Sequence, residues 1–252
     1  MTTLSAHSPT YPIRSVPLSR PFIWLRKGID DLAHHRLASL AYGLLISGLG
    51  LIALSYEQHP FFIAASISAF MLMGPIVAAG LCELSRCSDL NEPADFDSSL
   101  KALRPNRDGL LGVAGRLVIL SIAWFAISYL IMQNTIGTVA PGIDQTVWDN
   151  VLQEVSGAQI AAYLFAGAVL SAIVFFMSVV TVPMIIDRHV DASTAIKTSL
   201  RVSLKDLPAL LVWAALIVVL VAIGFATYLV GMVVIFPLLG HATWYAYRDL
   251  VK

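Results

Sequence analysis

Between Leu207 and Tyr247 the chain carries no Asp, Glu, Lys or Arg. A bilayer core is about 30 Å thick and takes roughly 20 helical residues to cross. This run is therefore long enough for two crossings, divided at a weak break near Gly224–Tyr228 that suits a tight turn. Leu37 to Tyr56 and Pro60 to Cys82 are also uncharged, as is Ala158 to Ile186. Gly109 to Met132 is interrupted only by Arg116. These are continuous apolar runs rather than the polar–apolar alternation of barrel strands, so the expected elements are helices. Of the 252 residues, 58% are hydrophobic and 13% charged. A soluble domain carries about 25% charge. The sequence thus predicts an all-α membrane protein with spans at about 37–56, 60–82, 109–132, 158–186, 207–224 and 228–247.

Lys and Arg in the loops set the direction of the spans. Arg14, Arg20, Arg26, Lys27 and Arg36 precede the first. Arg86, Lys101, Arg104 and Arg107 lie between the second and third, and Arg188, Lys197, Arg201 and Lys205 between the fourth and fifth. Arg248 and Lys252 follow the sixth. The other three connections have no Lys or Arg, but do have Glu57, Asp144, Asp149 and Glu154. Six helices in three hairpins, with both termini in the cytoplasm, put all the loop cations on one side. Residues 1–20 have no apolar core, so no cleavable signal is expected there, only a disordered or extended segment. Residues 21–252 read as one transmembrane domain. Cys82 and Cys87 do not form a CxxC pair, and their position at a cytoplasmic helix end favours reduced thiols.

The chain also reads as three copies of one unit: an amphipathic segment, a span out and a span back. Phe22, Leu25, Ile29 and Leu32 recur at helical spacing before the first span. Phe96, Leu100 and Leu103 do so before the third, and Ile196, Leu200 and Leu204 before the fifth. Basic residues mixed with such stripes suit short interfacial helices on the cytoplasmic side. Ser99 through Leu111 aligns without gaps to Ser199 through Leu211. Each returning span holds a proline, Pro75, Pro183 or Pro237, which removes a backbone donor and kinks a helix. Tolerated kinks in a duplicated chain account for these prolines; kinked helices around a central cavity are the alternative.

Several segments carry a family resemblance. They are Pro21-Phe22-Ile23-Trp24-Leu25, Gly74-Pro75 through Glu83-Leu84-Ser85-Arg86, and Val182-Pro183-Met184-Ile185-Ile186-Asp187-Arg188. Gly224-Phe225-Ala226-Thr227, Pro237 through Trp244 and Tyr247-Arg248-Asp249-Leu250 complete the set. On these the chain resembles DUF2189, a bacterial family of predicted integral membrane proteins, from about residue 12 to the C-terminus, with the 133–157 loop set apart. The resemblance implies a six-helix inner-membrane protein and no particular reaction.

Four residues form the candidate polar cluster: Arg116, His241, Glu83 and Asp187. Arg116 is the one clear charge inside a span, about 10 Å beyond its cytoplasmic start. It can snorkel to the interface, or pair with Glu83 or Asp187 at suitable depth. His241 follows Pro237 by one turn. Proline leaves the carbonyl of Val233 without its normal donor, and His241 is either a packed, hydrogen-bonded histidine or a titrating functional one. No second histidine lies inside a span to complete a bis-histidine haem site. Ser39, Gly43 and Ser47 form a small-residue stripe, as do Gly74 and Ala78; such stripes let helices pack closely, within a fold or across a homodimer. In the outer loop, Val147, Trp148, Val151, Leu152 and Val155 share one helical face and suggest an interfacial helix anchored by Trp148.

The sequence has no Walker A loop, HExxH, GxSxG or zinc-type cysteine pairing. It therefore points to no enzyme, no cofactor and no metal. Membrane lipids, a membrane-protein partner or a homo-oligomer are the expected partners, and the basic loops suit anionic lipid better than nucleic acid. An accessory or assembly role fits the apolar spans; transport of a small or amphiphilic solute is the alternative, fitted by the prolines, Arg116 and His241.

Overall fold

The computed structural model describes residues 11–55, 62–133 and 155–252, without the side chains of 62–65, 67–73 and 132. The expected helix around Trp148 lies outside the described residues, as do residues 1–10 of the N-terminal segment. The described chain is helical and contains no strand, only an isolated antiparallel bridge between Ile13 and Val251. The helices are α1 (Arg20–His34), α2 (Arg36–Leu54), α3 (Phe62–Leu90), α4 (Phe96–Lys101) and α5 (Arg107–Met132). They continue with α6 (Gly157–Ser178), α7 (Thr181–Arg188), α8 (Ala192–Lys205), α9 (Leu207–Ala226) and α10 (Met232–Leu250).

Among the described residues, four stretches are long and apolar enough to cross a membrane: Arg36–Leu54, Phe96–Ile131, Gly157–Arg188 and Leu207–Ala226. Their outward residues, such as Leu44, Ile119, Phe165 and Val218, are exposed apolar side chains that suit lipid. Helix α10 falls short in apolarity because it occupies the centre. It packs against α1, α2, α3 and α9, and it buries His241, Trp244, Tyr245 and Tyr247.

Backbone proximity explains the small-residue stripe on α2. Ser39, Gly43 and Ser47 are all buried within the fold. A Cβ on Gly43 would sit 1.9 Å from the carbonyl oxygen of Val233, so only glycine allows α2 and α10 to cross there. This is the carbonyl that Pro237 deprives of its helical donor, and Gly43 lies directly on it. Nearby, Ser47 Oγ donates to the Leu229 carbonyl at 2.8 Å.

The expected fourth span, 158–186, is broken. Helix α6 ends at Ser178 and α7 begins at Thr181, with Val179 and Val180 between them. Pro183 offers no N–H to the Val179 carbonyl, which weakens the helix at that point. Helix α8 repairs the break with hydroxyls. Ser199 Oγ donates to the Phe176 carbonyl at 2.7 Å and lies 3.5 Å from the Val180 N–H. Thr181 Oγ1 bonds the Met177 carbonyl within the chain.

The turn between α9 and α10 comes later than the predicted break. It spans Thr227 to Gly231, with Tyr228 (φ 50°) and Leu229 (φ 66°) in the left-handed region. Thr227 stitches it, donating to the Gly224 carbonyl and accepting from Gly231 N–H, both at 2.9 Å.

The apolar stripes of α1, α4 and α8 are divided: Leu25, Phe96, Leu103 and Ile196 pack toward the core, and the rest of each stripe turns outward. Phe22, Ile29, Leu100, Leu200 and Leu204 are exposed. The packed sides also carry Trp24, Gly28 and Asp31 on α1, Ser99 on α4, and Ala195, Ser199 and Val202 on α8. Residues 11–16 run extended along the C-terminus, where Arg14 N–H donates to the Leu250 carbonyl and Lys252 N–H to that of Pro12, each at 2.9 Å.

Candidate functional site

A buried polar network lies where α1 bends into α2, against α3 and α10. Helical spacing assembles it. Asp31, His35 and Ser39 stand at successive intervals of four on the α1–α2 side. Ser85 and Ser88 stand three apart on α3, and His241 and Tyr245 four apart on α10. The break at His35 keeps all three α1–α2 residues turned toward α10, since the chain changes direction there without losing the packed face.

Asp31 is engaged at both oxygens. Ser88 Oγ donates to Oδ1 at 2.8 Å and the Tyr245 hydroxyl donates to Oδ2 at 2.9 Å. Burial pushes the Asp31 carboxyl above its ordinary range, although hydrogen bonds from Ser85, Ser88 and Tyr245 oppose the rise. The His241 ring, wholly buried, is held between two hydroxyls: Ser39 Oγ at 2.8 Å from Nε2 and Ser85 Oγ at 2.7 Å from Nδ1. Each hydroxyl donates or accepts according to the tautomer of the ring. Nδ1 is 4.0 Å from Asp31 Oδ2.

His35 closes the network at the bend. Its Nε2 is buried with no partner among the described residues. Burial lowers its affinity for a proton, and the neighbouring His34 ring, 4.7 Å away, adds to the effect while Asp31 opposes it. A hydrogen-bonded network thus runs from Ser39 of α2 through His241 of α10 to Ser85 of α3, with Asp31 of α1 tied to the same two helices through Ser88 and Tyr245. Chemically it can hold or pass a proton. Among the described residues no three His, Cys, Asp or Glu side chains are grouped to hold a metal ion.

Of the four residues expected as one polar cluster, only His241 belongs to this network. Arg116 reaches neither Glu83 nor Asp187. Its Nη1 donates to the Gly112 carbonyl and its Nη2 to Ser193 Oγ, both at 2.7 Å, which ties α5 to the start of α8. Both carboxylates are already occupied. Glu83 accepts two hydrogen bonds from Arg86, each 2.8 Å. Asp187 accepts from the Tyr247 hydroxyl at 2.5 Å, and Tyr247 in turn accepts from Arg188 Nε at 2.9 Å. Of the kink prolines, Pro183 lies just beyond the α6–α7 break, while Pro75 and Pro237 sit inside continuous helices. The cysteines are free thiols, and burial with the Glu83 charge beside it pushes Cys87 up to about 11. It is thus a protonated, poorly nucleophilic thiol.

Sequence reasoning missed Asp31, His35, Ser85, Ser88 and Tyr245. The available signal was the four-residue spacing of Asp31–His35–Ser39 and of His241–Tyr245. It was hidden because Asp31 and His35 precede the first apolar run.

The model of a family described as predicted integral membrane protein matches residues 62–187, half of the chain. The chain belongs to the DUF2189 family. In this DUF2189 protein the match runs from α3 to α7 and takes in Ser85, Ser88, Glu83 and Asp187. It is narrower than the resemblance drawn from the sequence: it includes the 133–157 loop, which that reading set apart, and stops short of the Pro237–Trp244 motif. No curated protein and no solved structure matches this DUF2189 chain.

Proposed function

We propose that the protein crosses a bacterial inner membrane six times, as three hairpins with both termini in the cytoplasm. There it acts without catalysis, as an accessory or assembly partner of other membrane proteins. The collection of loop Lys and Arg on one side supports the topology. Parallel internal repetition belongs to the same reading, since α1, α4 and α8 each precede a spanning stretch and each turn an apolar edge outward.

One observation carries the non-catalytic reading. Both oxygens of Asp31 and both ring nitrogens of His241 are taken up by the chain's own hydroxyls. Catalytic groups need a free valence aimed at a substrate, whereas this network spends its polar groups on joining four helices. The outer faces left for interaction are apolar, as helix-to-helix association in lipid requires. Extraction in native lipid followed by affinity purification should recover a membrane protein in fixed stoichiometry. Recovery as a lone monomer or homo-oligomer overturns the partner reading.

A second reading, transport of a small or amphiphilic solute, is favoured by the Asp31–His241 approach of 4.0 Å beside the Pro237 turn. Ionisable pairs within a helix bundle commonly mark ion or substrate paths. Flux in proteoliposomes, lost in His241→Ala with the fold retained, would establish it. Flux no higher than that of empty liposomes across a broad solute panel removes it.

A further inference from the structure

The two sides of α1 have opposite chemistry. Pro21, Trp24, Gly28 and Asp31 are buried. The opposite side carries Phe22 and Ile29, exposed at 57% and 53%, with Arg26 alongside and the exposed Arg36 just beyond the bend, at the start of α2. Among the described residues neither guanidinium has a hydrogen bond or an ion pair. Asp30 is the one exposed carboxylate of the helix, and Lys27 is turned to the Tyr245 ring, 4.6 Å from its centroid.

Packing fixes the depth of this face. A Cβ on Gly28 would come within 2.9 Å of the Leu238 carbonyl. At the other end, Arg20 Nε and Trp24 Nε1 both donate to Asp249, at 2.5 and 2.7 Å. Helix α1 therefore lies along the final stretch of α10, at the end of the bundle where spanning helix gives way to polar chain. Leu37 and Leu44, exposed on α2, continue its apolar edge into the spanning region. Phe22 and Ile29 facing water would be costly, at about 25 cal/mol per Å² of apolar surface. At a bilayer boundary they are covered by acyl chains, while arginine stems reach back to the headgroups.

We propose that the outward face of α1 docks on anionic phospholipid, with Phe22 and Ile29 among the acyl chains and Arg26 and Arg36 on the headgroup phosphates. The leaflet is the one next to the chain termini. Helix α8 has the same design, with Leu200 and Leu204 exposed beside Lys197. Charge complementarity and continuity with the apolar belt select lipid over a protein groove.

The test is native mass spectrometry of the full-length detergent-solubilised protein, titrated with phosphatidylglycerol and with phosphatidylcholine of the same chains. The wild type should hold phosphatidylglycerol more tightly. Arg26→Gln with Arg36→Gln should lower that affinity roughly thirtyfold, and each single substitution roughly fivefold, with phosphatidylcholine unaffected. Equal affinity for the two lipids in the wild type, or an undiminished preference in the double variant, overturns the proposal. If the double variant unfolds by circular dichroism, the single variants decide: wild-type affinity in both overturns it.

Discussion

Single atoms decide much of this structure. Gly43 is the clearest case, because the atom a methyl group would strike is the Val233 carbonyl oxygen, part of a helix backbone that has no rotamer to change. Gly43→Ala should destabilise the folded protein by about 1–3 kcal/mol or more, the usual range for overpacking. A lowered midpoint in a thermal melt in detergent checks it; Gly48→Ala, with open space around its Cβ position, is the control. His35 sets the other prediction at this scale. Its folded-state pKa lies below the ordinary 6.5, so on acidification the unfolded chain takes up a proton that the folded chain refuses. Stability is then present above pH 6.5 and is lost as pH falls below that value. Asp31 has the opposite slope, because its raised pKa makes the folded carboxyl hold its proton more tightly. That effect is confined to the window between 3.8 and its raised value. Melts from pH 7.5 to 5.5 should show a loss of stability, and His35→Gln should make it less steep than in the wild type.

At the scale of elements, the broken α6–α7 segment shows how a helix in an apolar setting tolerates a defect. The helix is interrupted at Val179–Val180, and a neighbouring helix supplies a hydroxyl to a carbonyl of its last turn. Ser199 does this for α6 while its own helix packs its small side inward. Ser199→Ala should cost about 1–3 kcal/mol, because the Phe176 carbonyl loses its close donor in a buried place. Ser203 Oγ, 3.5 Å away, is too distant to replace it fully. Ser199→Thr, which keeps the hydroxyl, should restore part of the loss. Thermal melts of the two variants side by side measure both effects. The element scale also explains why the apolar stripes of α1, α4 and α8 are only partly buried. In a soluble protein the apolar side of a helix faces the core. Here the solvent outside is apolar as well, so part of each stripe can stay outward while small residues such as Gly28, Ser99 and Ala195 face inward and allow close approach.

Taken as a whole, the molecule is organised around α10, which covers the expected sixth span but is less apolar than α2, α5, α6 and α9. It gathers α1, α2, α3 and α9 around His241 and Tyr245, and its end is bound to residues 11–16 and to Arg20. Chain order separates these partners widely: the Ser39–His241 bond joins residues 202 positions apart. The positions of most helices were legible from the runs without charge, since burying a charge in lipid is expensive wherever the run falls in the fold. Close packing along Ser39, Gly43 and Ser47 was legible too, because small residues at helical spacing have few other uses. The Asp31–Ser85–His241 network was not legible, and neither were the separate partners of Arg116, Glu83 and Asp187. Membrane affinity depends on how many apolar residues stand in a row, a local sum that the sequence states outright. Which hydroxyl meets which imidazole depends on how helices far apart in the chain cross, and that is settled only when the backbones pack.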